Sequence, residues 1–167
     1  GYSFVENDLS GAEARVDQIL AGNFNLSVFD NPGIHRLTGS WLYNCKPEEI
    51  DKKSLQYYHA KTVRHAGERN MKADRLVLMA SIPLKEARQL LETFHSFQPE
   101  IRNVYHRDVR ECINATRALV APNGRVRQFL DRVDEHLYNE AISQLPQCIV
   151  SDQTKFSLPP TYDEAPW

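Results

Sequence analysis

Cysteine is scarce in this 167-residue chain, and the three present, Cys45, Cys112 and Cys148, lie far apart with no CxxC pair. So sparse and odd a set argues against a disulfide framework and against a zinc site, and a reducing compartment is the simplest setting for it. Long apolar runs are lacking as well. The longest uncharged one, from Leu76 to Pro83, falls far short of the roughly 20 residues that a bilayer-spanning helix needs. No basic segment followed by an apolar stretch opens the chain, so no secretory leader is read there. Its first residue is Gly1 rather than Met, as expected after processing, engineering or excision from something longer. A Gly-rich phosphate loop, an HExxH pair and a Ser/His/Asp order are all missing, which leaves P-loop, zincin and triad-hydrolase chemistry without support. Neither internal repeats nor low-complexity tracts interrupt the sequence.

What is present is ordinary globular composition: 41% hydrophobic and 25% charged residues, which excludes wholesale disorder and fibrous repetition. A chain of this length builds about one domain, too little for a complete replicative enzyme. The net charge of -2 is unevenly spread: residues 1–58 hold five Lys/Arg against eight Asp/Glu, residues 59–75 five against two, and residues 102–132 seven Arg against three acids. Two basic blocks after an acidic opening fit local contact with phosphates, and they fit solvated helix faces equally well.

The local patterns predict a mainly α, α+β chain with one strand and one hairpin. The alternation in YSFVEND reads as a short strand ending at Asp8. Ser10 to Glu13 has capping-box spacing, followed by an apolar stripe of Ala12, Val16, Ile19 and Leu20. Asn31-Pro32 reads as a cap with proline at the first helical position, opening a helix with Ile34, Leu37, Trp41 and Leu42 inward. Pro47 opens a short helical piece, and residues 54–71 are expected to form a helix with Gly67 as a weak point. Ile82-Pro83 breaks the chain before an amphipathic helix, LKEARQLLETFHSF. After Pro99 comes another, with Ile101, Val104, Tyr105, Val109, Cys112 and Ile113 on one side. Asn123-Gly124 signals a type I′ hairpin near 117–129. Residues 131–155 read as helix with Pro146 as a kink or boundary, and the tail LPPTYDEAPW as irregular.

On the helix at 54–71, Tyr57, Lys61, His65 and Arg69 recur every four residues with Arg64 beside them, so they share one face. At ~1.5 Å per residue, Lys61 to Arg69 spans ~12 Å, about the length of an extended nucleoside triphosphate. A solvated cationic face gives the same pattern. Asp8 at a strand end suits Mg2+ but is also a common turn residue. Glu13 fits the capping box, and a single polar His35 fits a structural role.

Taken together, DLSGAEARV (Asp8 to Val16), GIHRLTG (Gly33 to Gly39), KTVRHAGERNM (Lys61 to Met71) and LPQCIVSD (Leu145 to Asp152) occur in the order and spacing of family A DNA polymerases. The chain resembles the palm and fingers of that family, especially its bacteriophage branches, over nearly its whole length. Asp8, Ser10, Glu13 and Arg15 fall on the family's D-Y-S-Q-I-E-x-R. The resemblance implies that Asp8 is a catalytic Mg2+ ligand, with the Leu9 carbonyl as a second contact, and that Glu13 is the gate excluding a ribose 2′-hydroxyl. It implies that His35, on the histidine of D-I-H-x-x-T-A, reaches the nucleotide phosphates, and that Lys61 neutralises the leaving pyrophosphate. His65 stands under the sugar where Phe or Tyr is usual. Gln147 falls on the glutamine that contacts primer-template DNA, and Arg125 and Arg127 on a G-R-R-R hairpin against DNA.

Departures are equally specific. Tyr57 replaces an arginine that contacts the triphosphate, a contact then either missing or supplied by Arg64. Arg69-Asn70 replaces Tyr-Gly, and Asn139 and Ser143 stand where Arg and Asn are usual. The family's final His-Asp motif, bearing the second metal-binding carboxylate, would lie beyond Trp167. The expectation is therefore a palm segment at 1–30, fingers helices at 31–98 and a return toward the palm at 99–167. Function is expected to be two-metal addition of dNTPs to a primer end on template DNA, silent without a further polypeptide carrying the missing carboxylate. Localisation is expected in the cytoplasm of a bacterial or phage-infected cell, without membrane contact. The alternative is a non-catalytic helical nucleic-acid-binding module.

Overall fold

The computed structural model describes residues 11–157, so the expected strand ending at Asp8 and the irregular tail lie outside the described residues. Helices α1 (Ala12–Leu20), α2 (Ile34–Tyr43), α3 (Leu55–Glu68), α4 (Ala73–Ala80), α5 (Leu84–Phe97) and α6 (Arg107–Thr116) come first. A hairpin of β1 (Ala118–Val120) and β2 (Val126–Gln128) and the long helix α7 (Glu135–Ser157) complete the chain. Among the described residues the architecture is mainly α with one antiparallel strand pair, β1 with β2, in which Leu119 lies opposite Arg127, as the sequence patterns predict. No described helix is long and apolar enough to cross a membrane.

The core lies where α5 meets α3. Ala87, Leu90, Leu91 and Phe94 make one buried stripe on α5, and Val63, Ala66 and Gly67 face it from α3. Gly67 is not a weak point. A Cβ there would sit 2.3 Å from two carbons of the Phe94 ring, so glycine is what allows the helices to approach this closely. α3 is also shorter than expected: it is capped by Ser54, whose hydroxyl accepts from the Tyr57 amide at 3.1 Å, and it stops at Glu68. Past it, Asn70 takes a left-handed φ of 52°.

The stripe after Pro99 is real but begins in a single π turn, Ile101–His106, that runs into α6. Ile101, Tyr105, Val109 and Ile113 are all buried at intervals of four. A π turn holds more residues per turn than an α-helix, so it helps keep that spacing on one side. The Tyr105 hydroxyl donates to the Ile142 carbonyl, tying this segment to α7.

Several local expectations are corrected. The N-cap of α1 is Gly11, with no side-chain cap, and Glu13 is engaged elsewhere; Ile19 is 42% exposed while Asp17 and Gln18 are buried in its place. Asn31-Pro32 does not open α2. That helix starts at Ile34 after Gly33, burying Ile34, Thr38, Gly39 and Ser40, with Leu37, Trp41 and Leu42 only half-buried. The hairpin turn is not type I′, because only Gly124 (φ 83°) has a positive φ. The Ala121 carbonyl instead accepts from the Gly124 amide at 2.8 Å, the geometry of a type I turn followed by a left-handed glycine. α7 starts at Glu135 rather than 131, with Asp134 accepting from the Leu137 amide at 3.1 Å. It runs through Pro146 as one helix.

Candidate functional site

The start of α1, the start of α2 and the outer face of α3 enclose a cleft of about 310 Å³, with Val150 of α7 at its edge. Glu13, His35, Lys61, Arg64 and His65 all line it. Residues separated by up to 52 positions in sequence are thus brought to one concavity. A second cleft of about 290 Å³ shares Gly11 and His35 with the first and continues along Gly33, Arg36, Lys52 and Tyr57.

Beneath the first cleft lies a buried ionic framework. Arg69, 3% exposed, donates to both Asp17 carboxylate oxygens at 2.8 and 2.9 Å and to Glu13 Oε2 at 2.6 Å. Asp17 is fully buried, and burial first, then the Glu68 carboxylate, push its carboxyl up to about 8 against the pull of Arg69. Burial opposes the charge on Arg69, but Asp17 and Glu13 hold it above the ordinary range. Glu13 keeps a half-exposed carboxylate at the cleft mouth, fixed from below.

Arg64 is a second brace. Its Nε donates to Thr38 Oγ1 and its Nη1 to Glu68, each at 2.7 Å. The guanidinium also lies over the Phe94 and Trp41 rings at 5.2 and 5.8 Å. Only Nη2 lacks a partner. Of the cationic face expected on α3, Lys61 and His65 are therefore exposed while Arg64 and Arg69 are interior.

His35 meets the Tyr57 ring edge-on at 5.7 Å, and its Nδ1 is buried without a partner. Burial first, then Arg64 and Lys61, bring it down to about 4. His65 is also lowered, by burial and then by Arg69. Both rings are neutral at pH 7 in the free chain. An anion placed between them would raise both values.

The expected DNA contacts lie elsewhere. Arg125 pairs with Asp152, which also accepts from Asn123 Nδ2 at 2.6 Å, and Arg127 donates to Glu140 and Gln144. The hairpin arginines thus dock on α7 rather than at the cleft. Gln147 is exposed on α7, three residues before Val150. Across the α3 end, Asn70 Nδ2 donates to Asn139 Oδ1 at 2.8 Å.

Asp17, Thr38 and Glu68 were not singled out by the sequence. The pairing of Glu68 with Arg64 is visible in their i,i+4 spacing; Asp17 gives no such signal for a partner 52 residues away. Asp8 and Leu9 lie outside the described residues. Among the described residues no group of three or more His, Cys, Asp or Glu could hold a metal ion.

No protein-family model matches the sequence, and no curated protein matches it. Among solved structures, the polymerase domain of Pol1 from M. smegmatis, in complex with DNA primer-template and dNTP, superposes with a TM-score of 0.74. The fold is polymerase-like. Identity is 20%, and the match covers 89% of this chain but 27% of that one. The shared fold therefore concerns a segment of a larger polymerase domain.

Buried histidines give the fold a pH signature. His95 is lowered to about 3 and His106 to about 4, burial being the first cause for each, as for His35. The neutral His106 donates from Nε2 to the Glu68 carbonyl at 2.9 Å, closing the end of α3. Between pH 4 and 6.5 the unfolded state binds protons at these three rings and the folded state does not. Stability therefore falls as pH drops through this window, by on the order of 3 kcal/mol for a ring as buried as His106. Asp17 acts oppositely, holding its proton in the folded state up to about 8. The expected urea-denaturation profile has its maximum near pH 6.5, falling steeply to acid and gently toward pH 8. A flat profile from pH 4 to 6.5 would refute the neutral buried rings.

Proposed function

We propose that this chain is the fingers and adjoining palm segment of a family A type DNA polymerase, the part that receives the incoming dNTP beside primer-template DNA. The observation that carries this reading is the meeting of Glu13, His35, Lys61 and His65 in one cleft, on a fold shared with a polymerase domain. In this reading Lys61 neutralises the leaving pyrophosphate and His35 takes the phosphates. His65 underlies the sugar, and the fixed Glu13 carboxylate occupies the space of a 2′-hydroxyl. Arg64 acts through its one open nitrogen and mainly as a brace. Gln147, Arg125 and Arg127 face the primer-template, the arginines on release from α7. The segments 1–30, 31–98 and 99–167 correspond to palm, fingers and return.

Mg2+ belongs to the same reading, at Asp8 and the Leu9 carbonyl. Bound metal would supply charge stabilisation of the transferring phosphoryl group.

Titration of the chain with dTTP and with a fluorescent primer-template tests the reading. Saturable dTTP binding with a dTTP-over-UTP preference, and DNA binding that weakens with salt, are expected. DNA binding without any dTTP binding would favour the non-catalytic binding module. Neither would overturn both.

A further inference from the structure

A nucleoside triphosphate carries about four negative charges, and the first cleft is poorly supplied to meet them. There Glu68 and Glu13 cancel Arg64 and Arg69 through the ion pairs above, and both histidines are neutral. Lys61 is the one remaining cation among its lining residues. The second cleft has the opposite balance. Among the described residues its one acid, Asp30, is paired with Arg15 at 3.0 Å, which leaves Arg36 and Lys52 uncancelled. Among the described residues Arg36 uses only its Nε, on the Ile50 carbonyl at 3.0 Å, and Lys52 is exposed with no ion pair.

The two clefts join at Gly11 and His35. Unpartnered nitrogens stand along the same path: Arg64 Nη2 and Arg69 Nε on the first side, from side chains 1% and 3% exposed, and His35 Nδ1 at the junction. Tyr57 lines the second cleft and packs against His35. A tyrosine there adds no charge, so the cation closing the far end must come from another element.

We propose that the polyphosphate tail of the nucleotide runs past His35 into the second cleft, where Lys52 and Arg36 hold its terminal phosphate. This rests on the nucleotide-binding reading above and extends it to Arg36, to which that reading gave no role, and to Lys52, which lies outside the four motifs. Base and sugar remain in the first cleft near Glu13. A nucleoside monophosphate is too short to reach the second cleft and does not sense Lys52. Its neighbour Lys53 is also exposed but lines neither cleft, and serves as control.

The test is calorimetric titration of the full chain and of the Lys52→Gln and Lys53→Gln variants with dTTP, dTMP and inorganic tripolyphosphate. Both lysines are on the surface, so the variants keep the fold, which circular dichroism verifies. Lys52→Gln is expected to weaken dTTP and tripolyphosphate about tenfold, the scale of one charge-assisted contact, while dTMP stays within about twofold. Lys53→Gln leaves all three unchanged. Unaltered dTTP affinity in Lys52→Gln, beside a wild-type chain that binds dTTP, would overturn the tail path alone. Equal loss of dTMP and dTTP would overturn it too. A wild-type chain that binds neither dTTP nor tripolyphosphate would overturn the nucleotide reading itself.

Discussion

Replacing Arg69 with leucine is expected to cost about 3–5 kcal/mol of stability above pH 8, where Asp17 is ionised, the range for removing one partner of a buried ion pair. Asp17 is fully buried and bonded through both oxygens to this guanidinium. Without it, the carboxyl must either keep a charge in the interior or take up a proton and lose its donors. Arg69→Lys should recover only part of the loss, because an ammonium cannot present a planar fork to Asp17 and reach Glu13 at once. The pH dependence supplies a second readout. Burial and Glu68 already raise Asp17 to about 8, and loss of Arg69 raises it further. The variant then holds its proton at higher pH than the wild type, so the difference in stability grows above pH 8. Urea denaturation at pH 6 and pH 9 measures both. A loss below about 1 kcal/mol at pH 9 would show that this ion triad does not clamp α1 to α3.

That clamp also marks the boundary of what the sequence made legible. Periodicity was enough for α5 and for Ile101 to Ile113, because a buried stripe is a local property written every three or four residues. The shared face of Lys61 and His65 was readable for the same reason. Arg64 and Arg69 were not, since the pattern that places them beside Lys61 cannot tell a solvated guanidinium from one buried on a distant acid. Asp17 in α1 decides the matter for Arg69, and 52 residues separate them. Gly67 was misread as a weakness because its helix propensity is visible in sequence while the Phe94 ring against it is not. The hairpin arginines raise the same point. Charge counting made residues 102–132 a basic block, yet Arg110 pairs with Glu135, Arg125 with Asp152 and Arg127 with Glu140 across helix boundaries. Net local charge on a chain says little about free charge on its surface.

Lys61→Ala is expected to reduce dTTP affinity by about 10- to 100-fold, the equivalent of a charge-assisted contact of about 1.5–3 kcal/mol. The size follows from what remains in the first cleft: Arg64 and Arg69 are buried and ion-paired, each with one unpartnered nitrogen, and His35 and His65 are neutral at pH 7. No second permanent cation takes over there. The fold should be indifferent, since Lys61 is exposed on α3 and alanine is the better helix former. Arginine at the same position should retain most of the affinity, because it keeps the charge. Histidine protonation gives the variant a signature of its own. Bound phosphate raises the pKa of both rings, so binding takes up protons and strengthens as pH falls, and the residual affinity of Lys61→Ala depends more on that uptake than does that of the wild type. Dissociation constants at pH 6 and pH 8 should therefore differ more in the variant. Unchanged dTTP affinity in Lys61→Ala would remove the lysine from the phosphate path and with it the charge argument for the cleft.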